Sequence, residues 1–182
     1  MHRSLTQLKK LDWLLEERQF TDSARLIVRQ AGSRAQNRGF DHVDASSYAV
    51  LLLWTMIRWE RKIGLVALET MGVDLEMLAR EIDEILTRRA DEHPVAFDPR
   101  TNSFVYEKTG EAFFGWDYDV IAIPLFDQAA QAARKIHHDY VGTEHLLLAV
   151  ISAADPELKQ VLDGHFMRAE NVEETILEVL GK

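Results

Sequence analysis

The sequence of 182 residues predicts an all-α protein built from two tandem four-helix repeats, with an extra N-terminal helix and a hairpin-like connector. Apolar residues recur at helical spacing along most of the chain, and capping residues and glycines mark where helices start and stop. A segment that begins at Phe20 also aligns with one that begins at Tyr118. We therefore divide the chain into an N-terminal helix at 1–19, repeat 1 at 20–90, a connector at 91–117 and repeat 2 at 118–182.

The internal repeat gives specific pairs of equivalent positions. Val43 falls opposite Val141, and Ser46 falls opposite Glu144, at an offset of 98 residues. Further along, 69–86 aligns with 163–180 at an offset of 94 residues, with TMGV in the first copy where the second has GHFM. The difference of four residues is about one helical turn. Because the two stretches differ in sequence, we expect the two helix junctions there to be built differently.

The first helix has one apolar stripe. Ser4 can cap its start, and Trp13 and Leu14 widen a stripe made by leucines. Those leucines are Leu5, Leu8, Leu11 and Leu15. We expect this helix to pack on the core of the repeats.

Repeat 1 begins at Thr21, which can cap a helix that ends near Gly39. A second helix is predicted at 45–61, a third at 63–71 and a fourth at 74–89. Gly72 followed by Asp74 is a stop and restart signal for helices. The predicted inward face of the first of these helices consists of Ala24, Ile27, Val28 and Ala31.

The connector interrupts the helical pattern. Its runs PVAF and SFVYEK alternate around the turn-like DPRTN, which predicts a β-hairpin or an ordered loop. Its many aromatic residues favour burial over the core, and a surface for a partner protein is the alternative. Phe104, Tyr106 and Trp116 are our candidates for that surface. Trp59, in the second helix, is a further candidate because an exposed tryptophan is a common interface anchor, whereas Trp54 is expected in the core.

The stretch YVGTEHLLLAVI, at 140–151, holds a turn and the start of a buried helix. Gly142 permits the turn, Thr143 can cap the helix, and Glu144 places a carboxylate at the positive end of the helix dipole. The residues at 146–151 are apolar on nearly every side of a helix, which predicts burial.

This stretch, preceded by AARKIHHD and taken with the FT-x-x-A and MGVDLE segments, resembles the double-repeat N-terminal domain of the Clp AAA+ unfoldases, closest to the ClpC type. The resemblance covers most of 20–182. It implies a non-catalytic, cofactor-free module of regulated proteolysis that binds a substrate segment, an adaptor or a Clp unfoldase. The alternative is a divergent Clp-N-like paralogue that serves as a structural or interaction protein for an unrelated partner, or that self-associates.

The resemblance also implies a ligand. ClpC-type domains bind phosphoarginine, with a threonine and helix-start amides on the phosphate and the glutamate of GTEH on the guanidinium, as charge-assisted pairing allows. The matching positions are Thr21 and Ser46 in repeat 1, and Asp119 and Glu144 in repeat 2. Each repeat therefore keeps half a site, and the candidate ligand residues are Thr21, Thr143 and Glu144. Glu144 as a helix-capping residue alone is the other interpretation.

Composition limits the classes of function. The excess of acidic over basic residues lies after position 90, and a net charge of −9 argues against nucleic acid as a partner. No apolar run reaches the roughly twenty residues of a membrane span, and the N-terminus has no secretory pattern, so we expect a cytoplasmic protein without membrane contact. Cysteine is absent, which removes thiolate chemistry.

Catalytic and metal-binding motifs are missing from the sequence. Neither phosphate-binding glycine motif occurs, nor does a nucleophile elbow or a zincin motif, so we predict no catalytic residues. A histidine-rich group remains, and we predict no metal there because the side chains of adjacent residues diverge. We expect His145 to pack or to hydrogen-bond at a helix junction instead. The group consists of His137, His138, Asp139, Glu144 and His145.

Overall fold

The computed structural model describes residues 11–38, 40, 43–59, 62–92, 95–98, 103–106 and 121–182. Helix α1 is seen at 11–17. It is followed by α2 (Asp22–Asn37), α3 (Ala45–Trp59), α4 (Ile63–Thr70), α5 (Leu75–Glu92), strands β1 (Val95–Asp98) and β2 (Ser103–Tyr106), α6 (Ile123–Lys135), α7 (Thr143–Ser152), α8 (Pro156–Gly164) and α9 (Ala169–Val179). The all-α fold class is confirmed. The tandem repeat and the four-part division of the chain stay predictions.

Two buried helices, α3 and α7, form the centre of the fold. Residues 47–53 of α3 and residues 143–150 of α7 are all buried. A helix that is apolar on every side must be covered on every side. Helices α2, α3, α4, α6 and α9 all contact α7, and α2 and α5 cover α3.

The short third helix of each half packs on the other half of the chain. Helix α4 contacts α7 and α9, and helix α8 contacts α5. Gly64 in α4 permits the close approach, because a Cβ at this position would lie 3.2 Å from the carbonyl oxygen of Thr143. Each half of the chain therefore completes the core of the other half.

Arg89 joins α5 to the start of α8. Its Nη2 donates to Asp155 Oδ2 at 2.6 Å and to Glu157 Oε2 at 2.8 Å, and its Nη1 donates to Ser46 Oγ at 3.0 Å. The Arg89 side chain is only 13% exposed. Asp155 also caps α8, since its Oδ1 accepts from the amide of Leu158 at 2.9 Å.

The predicted inward faces of the first two helices are largely correct. In α1, Leu11, Leu14 and Leu15 are buried, as are all four of the predicted inward residues of α2. Trp13, however, is 57% exposed, so the prediction that it widens the stripe is wrong. It lies two residues from both Leu11 and Leu15, which is about 200° around the helix. Ser4, Leu5 and Leu8 lie outside the described residues.

The predicted strands are present in the connector. β1 and β2 pair antiparallel, with Val95 opposite Tyr106 and Phe97 opposite Phe104. They coincide with the alternating runs PVAF and SFVYEK of the sequence. Trp116 lies outside the described residues.

Several helices end in the same way, with one residue in the left-handed backbone region. After α4, Gly72 has φ 76°, its amide donates to Glu69 O at 3.0 Å, and the amide of Val73 donates to Leu68 O at 3.0 Å. After α8, Phe166 has φ 58° and makes the equivalent bond to Asp163 O at 3.1 Å. The prediction of differently built junctions is therefore wrong, because the backbone geometry is shared and only the side chain differs.

Leu147→Asp should prevent cooperative folding. The Leu147 side chain is fully buried in α7, and an unpaired buried charge costs several kcal/mol, a large part of the stability of a small domain. Circular dichroism should show loss of the cooperative thermal transition. Leu147→Met is the matched control and should cost less than about 1.5 kcal/mol. A normal melting curve for Leu147→Asp would contradict the central position of α7.

Asp155 should make the stability of the protein sensitive to acid. Burial raises the pKa of Asp155, but the hydrogen bonds from Ser46 and the Leu158 amide, together with the Arg89 charge, hold the pKa below its ordinary value. A lowered pKa in the folded state contributes stability above the ordinary pKa of about 4, and this stability is lost as pH falls through the folded value. Urea unfolding at several pH values should show that the free energy of unfolding declines less between pH 7 and pH 2 for Asp155→Asn than for the wild type. Asp163→Asn, at the exposed end of α8, should behave as the wild type does.

Candidate functional site

The start of α7 is held by a hydrogen bond between backbone and side chain. The amide of Gly142 donates to His145 Nδ1 at 2.8 Å, so the third residue of the helix reaches back to the N-cap. This is one half of a capping box, with histidine in place of the usual glutamate or glutamine, because the N-cap glycine has no side chain to return the bond. The N-cap is therefore Gly142 rather than Thr143 as predicted, and Thr143 is the buried first residue of the helix.

This bond decides where the protons lie in the histidine pair. Because His145 Nδ1 accepts from Gly142, the ring proton lies on Nε2, which faces His138 Nδ1 at 3.2 Å. Burial, with smaller effects of His138 and Lys182, lowers the pKa of His145 to about 4. Burial and Lys182 also lower the pKa of His138. His145 is therefore neutral at pH 7 and connects α7 to the loop that follows α6, as the sequence analysis expects.

The Glu144 carboxylate is folded back over Gly142 and is not open to solvent. The residue is 2% exposed, and a Cβ at position 142 would clash with its carboxylate oxygens. Its Oε1 lacks a hydrogen-bond partner among the described residues. Burial raises the pKa of Glu144, against the opposing effects of its own backbone amide and of the Thr143 hydroxyl. The carboxylate thus acts at the N-terminus of its own helix.

His138, Glu144 and His145 converge, contrary to our geometric argument. Their potential ligand atoms lie within 4.8 Å of one another, and Glu144 Oε1 is 3.4 Å from His145 Nδ1 and 3.9 Å from His138 Nδ1. The prediction that these side chains diverge is wrong because His138 comes from the loop after α6 and the Glu144 side chain folds back. Such a donor set suits zinc. However, Nδ1 of His145 is occupied by Gly142 and Nε2 carries the proton, so coordination through either nitrogen would break the helix cap.

The two chain segments that precede α2 and α7 lie side by side. The amide of Thr21 donates to Val141 O at 2.9 Å, and the amide of Val141 donates to Gln19 O at 3.0 Å. Thr21 caps α2 as predicted, since its Oγ1 accepts from the amide of Ala24 at 3.3 Å. The fold therefore brings Thr21 next to the segment that leads into Thr143 and Glu144, which the sequence could not show.

The other predicted ligand positions are elsewhere. Ser46 Oγ bonds to Asp155 and accepts from Arg89, so the chain's own guanidinium occupies this position in the first half. Asp119 lies outside the described residues. A pocket of about 290 Å³, lined in part by Arg18, His138 and Tyr140, reaches the histidine pair from solvent on the His138 side.

Trp59 is half-buried beneath an arginine. The Arg34 guanidinium lies 5.4 Å from the Trp59 ring centre, and Trp54, also half-buried, lies under Arg34 and Arg38. Phe104 and Tyr106 are on β2. The partner surface made of Trp59, Phe104, Tyr106 and Trp116 stays a prediction.

Sequence reasoning missed two exposed apolar residues, Phe166 and Met77, which are 78% and 44% exposed. The sequence contains a signal for Phe166, because this residue aligns with Gly72 at the offset of 94 residues. A phenylalanine at a position where the backbone favours glycine is a departure that the alignment alone reveals.

Comparison with known proteins gives one consistent result. No family model matches the chain. It is 23% identical over 161 residues, 88% of the chain, to a probable ATP-dependent Clp protease ATP-binding subunit of Chlamydia pneumoniae, and 22% identical over 163 residues, 89% of the chain, to the negative regulator of genetic competence ClpC/MecB of Bacillus subtilis (strain 168). These alignments take in 16% and 17% of the two relatives, so the chain spans about a sixth of their length.

Two solved structures share the fold. The Hsp104 N-terminal domain from Candida albicans has a TM-score of 0.62 at 15% identity, covering 90% of this chain and 92% of that domain. The N-terminal domain of the chaperone ClpD from Arabidopsis thaliana has a TM-score of 0.53 at 18% identity, covering 90% and 96%. Among the described residues, no helix is both long and apolar enough to cross a membrane.

His145→Leu should destabilise the protein more than His145→Gln. Leucine leaves the buried Gly142 amide without an acceptor, which costs about 1–3 kcal/mol, whereas glutamine can reach back as in an ordinary capping box. Urea unfolding at pH 7 measures both variants. Equal losses would show that the His145–Gly142 bond does not hold the helix start.

Proposed function

We propose that this chain, whose resemblance to the N-terminal domains of Clp unfoldases is confirmed in sequence and in fold, is a non-catalytic protein-binding module of regulated proteolysis. It would hold a segment of a substrate or an adaptor for a Clp-type unfoldase. The observation that carries the proposal is the alignment to Clp subunits over 88–89% of the chain, together with the shared fold of domains described as N-terminal domains of Hsp104 and ClpD.

The titratable cluster at α7 supports a binding rather than a catalytic role. His145 and Glu144 are 0% and 2% exposed, so a substrate would not reach either group without unfolding the start of the helix. Of the three residues His138, Glu144 and His145, only His138 lines the adjoining pocket. A general base must lie within hydrogen-bond reach of the proton that it removes, and the two buried groups do not meet this requirement.

Phosphoarginine binding at Thr21, Thr143 and Glu144 stays a prediction, and it now has a structural requirement. The Glu144 carboxylate would have to turn away from Gly142 and become accessible before it could pair with a guanidinium. The Thr21 hydroxyl already caps α2, so a phosphate would compete with the Ala24 amide for it.

The second candidate function is that of a divergent interaction protein with an unrelated partner. The state of Ser46 favours it, because Arg89 and Asp155 occupy this position from within the chain. A module that has filled one of its two ligand positions with its own side chains would depend on another surface.

An NMR titration should test the proposed function. We expect the ¹⁵N-labelled protein to show saturable chemical-shift changes with reduced, carboxymethylated α-lactalbumin, which is unfolded, and none with the native, folded form. The expected affinity is micromolar to millimolar, as for weak transient encounters. Absence of shifts at saturating unfolded protein would contradict the function as a substrate-binding module.

The same labelled protein can be titrated with free phosphoarginine. Saturable shifts near Thr21 and Glu144 that vanish in Glu144→Ala would support a degron receptor. Shifts that persist in Glu144→Ala, or no shifts at millimolar ligand, would remove Glu144 from the ligand site.

A further inference from the structure

Phe166 is held in a strained backbone conformation and is exposed. Its φ of 58° lies in the left-handed region, where a bulky residue is rare, and its side chain is 78% exposed. The structure also places Gln19 and His137 in this region, but Phe166 alone of the three presents an apolar aromatic ring to solvent. Strain of this kind is characteristic of functional positions.

The fold does not require the phenylalanine ring. Helix α8 is closed by backbone hydrogen bonds, from Phe166 N to Asp163 O at 3.1 Å and from Met167 N to Leu162 O at 2.9 Å. The buried residue at this junction is Met167, which is 1% exposed. Gly72 makes the equivalent junction after α4 with no side chain at all. Glycine at position 166 would therefore serve the backbone better than phenylalanine does.

A groove with a volume of about 350 Å³ lies between α5 and α8, and its lining reaches Gly164, two residues before Phe166. The helices are antiparallel, because Arg89 of α5 meets Glu157 at the start of α8, and Glu81 meets His165 just beyond its end at 3.0 Å. Phe166 follows His165 directly. The residues that line the groove are Glu81, Glu84, Ile85, Arg88, Glu157, Gln160, Val161 and Gly164.

Met77 is a second exposed apolar residue, on α5 towards the Glu81 end of the groove. It lies one helical turn before Glu81 on α5 and is 44% exposed. Exposed apolar residues of this size, beside the apolar floor formed by Ile85 and Val161, are the usual composition of a site for a partner's side chain.

The charge of the groove selects the kind of partner. Three glutamates line it against one arginine, and because Glu157 already pairs with both Arg88 and Arg89, Glu81 and Glu84 supply the remaining acidic charge. The groove is therefore acidic on a chain whose net charge is −9. A segment that carries lysine or arginine beside an apolar side chain complements both features.

We propose that the α5–α8 groove, with Phe166 as its anchor, binds a short basic and apolar segment of a partner protein. The proposal rests on the proposed protein-binding function and adds the surface and the chemistry of the partner. It leaves the start of α7 free of any role in this contact.

The first test uses fluorescence anisotropy with two labelled 12-residue peptides, one alternating leucine with arginine and one alternating leucine with glutamate. We expect saturable binding of the basic peptide only. Phe166→Gly should weaken it by about tenfold or more, as loss of an interface anchor does. Trp13→Ala, which removes an exposed aromatic ring on α1, is the matched control and should bind as the wild type does.

Thermal unfolding of the same variants separates binding from folding. Phe166→Gly should melt at the same temperature as the wild type or higher, because glycine relieves the strain at positive φ. A marked fall in Tm would show that the ring has a structural role and would overturn the proposal. Unchanged peptide binding by Phe166→Gly would also overturn it.

Charge reversal in the groove supplies a second, independent test. Glu84→Lys should weaken the basic peptide several-fold, and the difference should shrink as salt rises. Glu174→Lys, an exposed reversal on α9, is its control. Equal effects of the two reversals, or equal binding of the acidic peptide, would overturn the choice of a basic partner.

The unfolded-protein titration keeps the two proposals distinguishable. If Phe166→Gly still binds unfolded α-lactalbumin as the wild type does and neither peptide binds, the protein-binding function stands and the groove proposal fails. If the wild type binds the basic peptide at Phe166 but binds no unfolded protein, the groove stands and a general substrate-binding function fails.

Discussion

The fold depends on one constraint, which is that α3 and α7 are apolar around their whole circumference and must be covered on all sides. Helices from both halves of the chain cover α3 and α7. Helix α4 of the first half packs on α7 and α9 of the second half, and α8 of the second half packs on α5 of the first. Gly64 allows the first of these contacts and Arg89 secures the second. The site at the start of α7 is a product of the same constraint, because the polar ends of a buried helix need partners within the protein.

The sequence predicts helices well where periodicity and caps agree, as at α2, where Thr21 and the inward face are both correct. It fails where a single residue departs from a regular pattern. Trp13 was assigned to the stripe because it is apolar, although its angular position faces away from the leucines. The difference between TMGV and GHFM predicts two different junctions, although backbone hydrogen bonds alone fix the shared geometry. At such positions, the course of the backbone determines the local structure more than the identity of the side chain does.

The site shows a second limit of sequence reasoning. The side-by-side placement of the segments before α2 and α7 joins residues about 120 positions apart, and no local pattern encodes that contact. The convergence of His138 with Glu144 and His145 is a local contact, but it depends on the path of the loop between α6 and α7 and on the Glu144 side chain folding back, which helix periodicity does not encode. Two equivalent positions in the alignment also have opposite surroundings. Among the described residues, Glu144 Oε1 is buried without a hydrogen-bond partner, whereas Ser46 lies beside the guanidinium of Arg89.

The exchange of short helices between the halves has a consequence for synthesis on the ribosome. Helix α4 leaves the ribosome before its partners α7 and α9 exist, and about eighty residues separate Gly64 from Thr143. At roughly 5–20 residues per second, its apolar face stays uncovered for several seconds. The nascent first half therefore has an incomplete core and exposes a hydrophobic surface to chaperones until the second half has been synthesised. The core of the two halves is therefore completed only after the second half has been synthesised, and not one half at a time.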